Sequence, residues 1–214
     1  MFPIFYSFRR CPYAMRARLA IQYSDITVEL REIVLRNKPI EMLIASPKGT
    51  VPVLVLSNQQ IIEQSRDIMQ WALMQNDPLD FLCLKNPALQ TQINQFIDHN
   101  DQVFKLHLDQ YKYADRYPEH GKEYYRVQGE LFLQRLEQCL EQTSFLLLNQ
   151  ISLADLAIFP FVRQFTSVDP KWFDSAPYPK LKQWLYFFCS SAEFAHCMQK
   201  FPAWQAGNDC FIFP

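Results

Sequence analysis

Glycine is scarce in this chain, with four in 214 residues against fourteen prolines. That balance suggests a helical protein with sharply punctuated loops. No apolar run approaches the length of a membrane span. The opening "MFPIFYSFRRC" has no basic stretch ahead of a long apolar segment, so no secretory signal is expected. The six cysteines, at positions 11, 83, 139, 189, 197 and 210, contain no CxxC pair. Such scatter indicates reduced thiols in a cytoplasmic protein and argues against a disulfide framework. The four histidines (99, 107, 120 and 196) form no HxxxH pair, so no metal site is expected. Charge of one sign is missing too. A formal net charge of −1 favours neither nucleic acid nor a membrane surface as partner.

Apolar material is plentiful. Hydrophobic residues make up 49% of the chain, with 18 Phe, 10 Tyr and 4 Trp. That is enough core for one large domain or two small ones.

Two periodicities divide the chain. Through residue 76 the sequence alternates strand-like and helix-like segments. "PIFYS" reads as a strand, "PYAMRARLAIQYS" as a helix, "TVELREIVL" as a strand and "PIEMLIAS" as a short helix. "VPVLVLS" and "QQIIE" follow as a hairpin, and "SRDIMQWALMQ" as a helix with Ile68, Trp71 and Ala72 on one stripe. The predicted order is βαβ, a short helix, then ββα. The stretch "NDPLDFLCLKNP", residues 76–87, loses the periodicity, and residues 77–88 read as a linker. From residue 89 to 214 strand signals vanish. Phe132, Leu136, Cys139 and Leu140 form one helical stripe, and Leu181, Trp184, Leu185 and Phe188 another. An all-helical second domain is expected, with no internal repeat.

Cys11 stands where chemistry is expected. Pro12 suits the first position of a helix, since its missing N–H costs nothing there. Cys11 then becomes the N-cap, beside unpaired N–H groups and the positive end of the helix dipole. Both favour a thiolate. Arg9, Arg10, Arg16 and Arg18 add positive potential nearby. A small buried hydrophobe is the other reading of a lone cysteine, and it suits Cys83, Cys139, Cys189, Cys197 and Cys210, which lack this context. Ala14 occupies the place of a second redox cysteine, so an outside thiol must complete any exchange at Cys11.

Three further stretches offer a cradle for a small thiol. Val51-Pro52 opens a strand that belongs inside the sheet, where proline is normally excluded. A cis bond resolves this and leaves the Val51 backbone open to an extended peptide; an ordinary turn proline is the alternative. In "EQSRDI", Ser65 reads as a helix cap, and Gln64 with the helix start could hold a carboxylate and an amine. Lys38 offers a cation for a second carboxylate, or is a solvated loop lysine. A thiol with an extended peptide backbone and two carboxylates fits all three stretches, and glutathione has those features.

Together "CPYA", "LRNKP", "TVPVL", "EQSRDI" and "ISLADLAIFPF" resemble the cytosolic glutathione transferase superfamily over nearly the full chain. The likeness is to its cysteine-type branch, which includes the omega class and the two-domain glutaredoxins. It implies a thioredoxin-like domain followed by a helical bundle, and a homodimer. Cys11 would form a mixed disulfide with glutathione. Val51 would hold the cysteinyl backbone beside cis-Pro52, Gln64 and Ser65 would bind the γ-glutamyl end, and Lys38 the glycine carboxylate. Gln64 departs from the glutamate that many omega-like members carry, which costs a charge-assisted contact. Ser152 and Asp155 fit the superfamily's folding motif as an S-x-x-D capping box, a structural role. The expected activity is glutathione-dependent thiol transfer. Conjugation to small electrophiles, with Tyr6 or Ser7 holding the thiolate, and a non-catalytic interaction module of the stringent-starvation type are the alternatives. Phe104, Leu108, Tyr111, Tyr113 and Trp172 are apolar candidates for a second-substrate pocket or for the core. Trp204, in "FPAWQAG", folds over either the core or the cleft.

Overall fold

The computed structural model describes residues 1–214. They form two compact units: Met1–Pro78 together with Ser191–Pro214, and Leu79–Ser190.

The first unit is a five-stranded sheet with helices on it. Its elements are β1 (Ile4–Ser7), α1 (Pro12–Ser24), β2 (Val28–Glu32), α2 (Ile40–Ala45), β3 (Val53–Val55), β4 (Ile61–Ile62) and α3 (Ser65–Gln75). From the C-terminal segment come α10 (Ala192–Cys197) and β5 (Phe211–Phe213). The strand order is β4-β3-β1-β2-β5, with only the β1–β2 pair parallel. Alternation along the strands separates two faces. Phe5, Leu30, Leu54 and Phe213 pack with Ala17 and Ile21 of α1 and with Ile68 and Ala72 of α3. Tyr6, Ile33, Val53, Met42 and Trp204 pack as a second cluster.

The predicted βαβ-α-ββα order is present, and the C-terminal segment extends it. The sequence reading runs the helical domain from 89 to 214, whereas the structure ends the helical unit at Ser190. The physical reason lies at β2. Its outer edge carries unpaired backbone groups, and β5 pairs there antiparallel, with Val28 opposite Phe213. Phe213 is fully buried, and the Trp204 N–H donates to the Glu32 carbonyl at 2.7 Å. A three-residue strand lies below what period-2 alternation can signal. The stretch 77–88 also differs from a linker. Phe81, Leu82 and Cys83 are buried, and the Phe81 carbonyl accepts from the Leu153 N–H at 3.0 Å.

The second unit holds α4 (Pro87–His99), a π-helical turn (Asn100–Phe104), α5 (Lys105–Lys112) and a 3-10 turn (Ala114–Arg116). Then come α6 (Lys122–Gln142), α7 (Leu153–Thr166), α8 (Pro170–Ser175) and α9 (Pro179–Cys189). Phe104, Leu108 and Tyr111 are buried in this unit, while Tyr113 is 38% exposed. At Gly129 an added Cβ would lie 2.3 Å from Cε2 of Phe165. That ring is itself hemmed in by Phe104 at 5.2 Å and Tyr111 at 4.9 Å between centroids. Gly129→Ala should therefore cost about 1–3 kcal/mol by overpacking, beyond its helix-propensity gain of about 1 kcal/mol. A lowered thermal midpoint in circular dichroism is the expected result; an unchanged or raised one contradicts this packing.

No helix is long and apolar enough to cross a membrane. No group of three or more His, Cys, Asp or Glu side chains is placed to hold a metal ion.

Candidate functional site

Cys11 is the N-cap of α1, extended at φ −80° and ψ 123°, with Pro12 opening the helix. Its N–H donates to Phe8 and its carbonyl accepts from Met15, each at 2.9 Å, which sets the turn from β1 into α1. The thiol makes no capping bond. It is half-buried and points instead at the Val51 carbonyl, with Sγ 3.8 Å from the oxygen. Two stretches separated by forty positions thus meet at one sulfur.

The Val51–Pro52 bond is cis, and Pro52 is buried just ahead of β3. Gly49 turns the chain toward it with φ +62°, a conformation that suits glycine. The Lys38 stem crosses this turn, so that a Cβ on Gly49 would lie 3.7 Å from Lys38 Cδ. Lys38 thereby stands beside the Val51 loop.

The helix α3 covers the predicted stretch "SRDIMQWALMQ", but its cap differs from the sequence reading. Gln64 is the N-cap and Ser65 the first helical residue, so Ser65 does not cap the helix. Its hydroxyl oxygen accepts from Arg16 Nε at 2.9 Å in a buried contact. The Gln64 side chain is exposed and makes no capping bond. The neighbouring carboxylate, Glu63, accepts from the Ser46 hydroxyl. Lys48 Nζ reaches the Glu63 carbonyl at 3.4 Å, so the loop before Val51 is tied to the start of α3.

The hydroxyls that could rival Cys11 are already engaged. Ser7 is fully buried and accepts from Arg18 Nε at 2.8 Å. Tyr6 is 2% exposed, and its hydroxyl accepts from Arg31 at 2.8 Å. Burial pushes the Tyr6 pKa up further, against the pull of Arg31.

Both halves of the chain match one family. Residues 5–80 match the model of the glutathione S-transferase N-terminal domain, and residues 125–185 that of the C-terminal domain. The chain belongs to the glutathione S-transferase family. Over 60 residues it is 45% identical to glutathione S-transferase omega-2 of Homo sapiens, a match covering 28% of this chain. The chain thus spans about a quarter (25%) of that relative's length. Among solved structures, BphK, a bacterial transferase in a ternary complex, superimposes with a TM-score of 0.79 at 17% identity, covering 91% of this chain and 97% of that one. A transferase from Methylobacillus flagellatus with glutathione bound gives 0.77 at 21% identity, covering 91% and 98%. At these identities the structural likeness is one of fold.

In this member of the family the four clustered arginines make different contacts. Arg18 is fully buried and pairs with Glu32, while its Nη1 donates to the Cys197 carbonyl at 3.1 Å. The Arg9 N–H donates to the other Glu32 oxygen at 2.8 Å. Those contacts tie β1, α1, β2 and the C-terminal segment together. Arg10 is exposed. Arg16 alone is seen to reach a candidate binding residue, and the sequence reading did not single it out from its neighbours. A signal existed. Ala14, Met15, Ala17, Leu19, Ala20 and Ile21 surround α1 with apolar side chains, which marks a helix buried all round. The arginines on it had no wet face to occupy.

In the helical unit the Asp155 carboxylate accepts from the Ser152 N–H at 2.9 Å and the Ser152 hydroxyl at 2.8 Å. It also accepts from the Leu146 N–H at 3.0 Å and Trp184 Nε1 at 2.9 Å. Complete burial raises its pKa, and these four donors pull the other way. Trp204 lies on the sheet of the first unit, its ring edge-on to Tyr6 at 6.1 Å and 4.1 Å under the Arg31 guanidinium.

Proposed function

We propose that the protein is a glutathione-dependent thiol transferase with Cys11 as its single nucleophile. The approach of Sγ to the Val51 carbonyl, at 3.8 Å, carries this reading. A tripeptide paired with the Val51 backbone as an added strand brings its central sulfur to the thiol. The Cys11 thiolate attacks the glutathionyl sulfur of a mixed disulfide R–S–S–G. The old S–S bond breaks, RS⁻ leaves and takes a proton from water, and Cys11–S–S–G forms. A second glutathione, as thiolate, attacks the glutathionyl sulfur, releasing the Cys11 thiolate and glutathione disulfide. The net reaction converts R–S–S–G and one glutathione into RSH and glutathione disulfide. Ala14 supplies no thiol to intercept the intermediate. Val51 and Pro52 take the cysteinyl backbone, Gln64 and Ser65 the γ-glutamyl end and Lys38 the glycine carboxylate. The homodimer and cytoplasmic location implied by the resemblance belong to the same reading.

Intact-mass spectrometry after brief exposure to glutathione disulfide at neutral pH tests it. Wild type should gain one glutathione adduct, reversed by dithiothreitol, and Cys11→Ala should gain none on that timescale. The exposed Cys189 and Cys210 respond more slowly, since desolvation raises both thiol pKa values and lowers the thiolate fraction. An equal adduct on Cys11→Ala, or none on wild type, overturns the assignment.

A further inference from the structure

Arg16 sits five residues beyond Cys11 on α1 and is 2% exposed, yet it reaches the first residue of another helix. Its guanidinium lies 5.0 Å from the centre of the Tyr13 ring, a stacking contact that steadies the plane. Its Nε–H takes one lone pair of the Ser65 oxygen at 2.9 Å.

We propose that Arg16 is a positioning residue for the ligand carboxylate at the start of α3, acting through the Ser65 hydroxyl. This rests on the reading of Gln64 and Ser65 as the γ-glutamyl subsite. A serine hydroxyl has one hydrogen and two lone pairs, and a guanidinium has no acceptor. With Arg16 donating, the Ser65 hydrogen cannot point back at it and must be aimed elsewhere. Ser65 opens α3, where the first N–H groups emerge and the helix dipole favours an anion. A carboxylate arriving there meets a hydroxyl already oriented as a donor. The buried guanidinium behind that hydroxyl is little screened by salt, so its charge adds to the same attraction. The contact also couples the two ends of the ligand. Arg16 is on the helix that Cys11 caps, so the spacing between nucleophile and carboxylate subsite is held by a direct bond between α1 and α3.

A purely structural strut would make the same hydrogen bond, so the test compares two thiols. Arg16→Met, Arg16→Lys, Ser65→Ala and the Arg16→Met/Ser65→Ala double variant are assayed for thiol transfer. Each is run with glutathione and with cysteinylglycine, which lacks the γ-glutamyl carboxylate. Arg16→Met should raise the KM for glutathione about tenfold or more, the scale of one charge-assisted contact. The kcat should change far less, and the loss with glutathione should exceed the loss with cysteinylglycine by about the same factor. The double variant should be no worse than either single one, because one path carries the effect. Arg16→Lys should recover part of it, and it carries the comparison if the methionine variant does not fold. Equal losses for both thiols, or additive losses in the double variant, overturn the inference. Should wild type fail to saturate with glutathione, both this and the γ-glutamyl assignment fall. Saturable wild type with an unchanged KM in Arg16→Met removes only the role of Arg16.

Discussion

Cys11→Ser is expected to lower glutathione-dependent thiol transfer by about three orders of magnitude or more, the scale seen when a covalent nucleophile is removed. Serine cannot form the mixed disulfide, so the variant loses the whole route and not merely part of its rate. No neighbour can take over. Position 14 is alanine, and the hydroxyls of Ser7 and Tyr6 are buried and accept bonds from Arg18 and Arg31. The same substitution should leave the fold intact or firmer. Cys11 occupies the N-cap of α1 without capping it. Serine is among the strongest N-caps, and its hydroxyl can accept from the first-turn N–H groups, worth about 0.5–1 kcal/mol. Activity and thermal unfolding measured on one preparation therefore diverge: the rate collapses while the midpoint holds or rises. Activity that survives the change sinks the mechanism. Loss of activity together with loss of fold would show that Cys11 supports structure, contrary to its place here.

Asp155→Asn is expected to destabilise the chain by about 2–4 kcal/mol. Both carboxylate oxygens are occupied, one by the two Ser152 donors and the other by Leu146 and Trp184. An amide keeps one acceptor oxygen and turns an NH₂ group toward the other pair. At least one buried backbone N–H then faces another donor, whichever way the amide is placed. The cost is large because Asp155 joins the loop at Leu146, the start of α7 and Trp184 of α9 in one contact set. Chemical denaturation should show the midpoint falling with little change in slope. A change below about 0.5 kcal/mol would mean that the four bonds are not all made in solution. This residue is remote in sequence from Cys11 and carries no chemistry, so its effect on turnover should follow the folded fraction alone.

Much of the candidate site's local geometry was legible because local rules place it. Proline after Cys11 and the apolar pattern behind it mark the helix start within one residue, and the structure begins α1 at Pro12. A proline entering an internal strand singled out Val51-Pro52, and that bond is cis. The span of α3 was legible from its apolar stripe, but its cap was not: Gln64 holds that position, and the Ser65 hydroxyl accepts instead from Arg16, a partner far away in sequence. The reading of residues 77–88 as linker failed for a related reason: lost periodicity marks irregular backbone, not exposure, and Phe81 is fully buried.

By itself the sequence determined the order of elements, the cysteine at the helix cap, the absence of a second cysteine at position 14 and the family resemblance. These follow from propensity, spacing and residue type, which act over a few positions. The tertiary structure decided what depends on distant partners. It sent the last two dozen residues back to the sheet edge, committed the rival hydroxyls, sorted four similar arginines into separate roles and placed the Cys11 sulfur against Val51. An arginine's role is set by which oxygen its planar fork can reach, and that is fixed only when helices and strands pack.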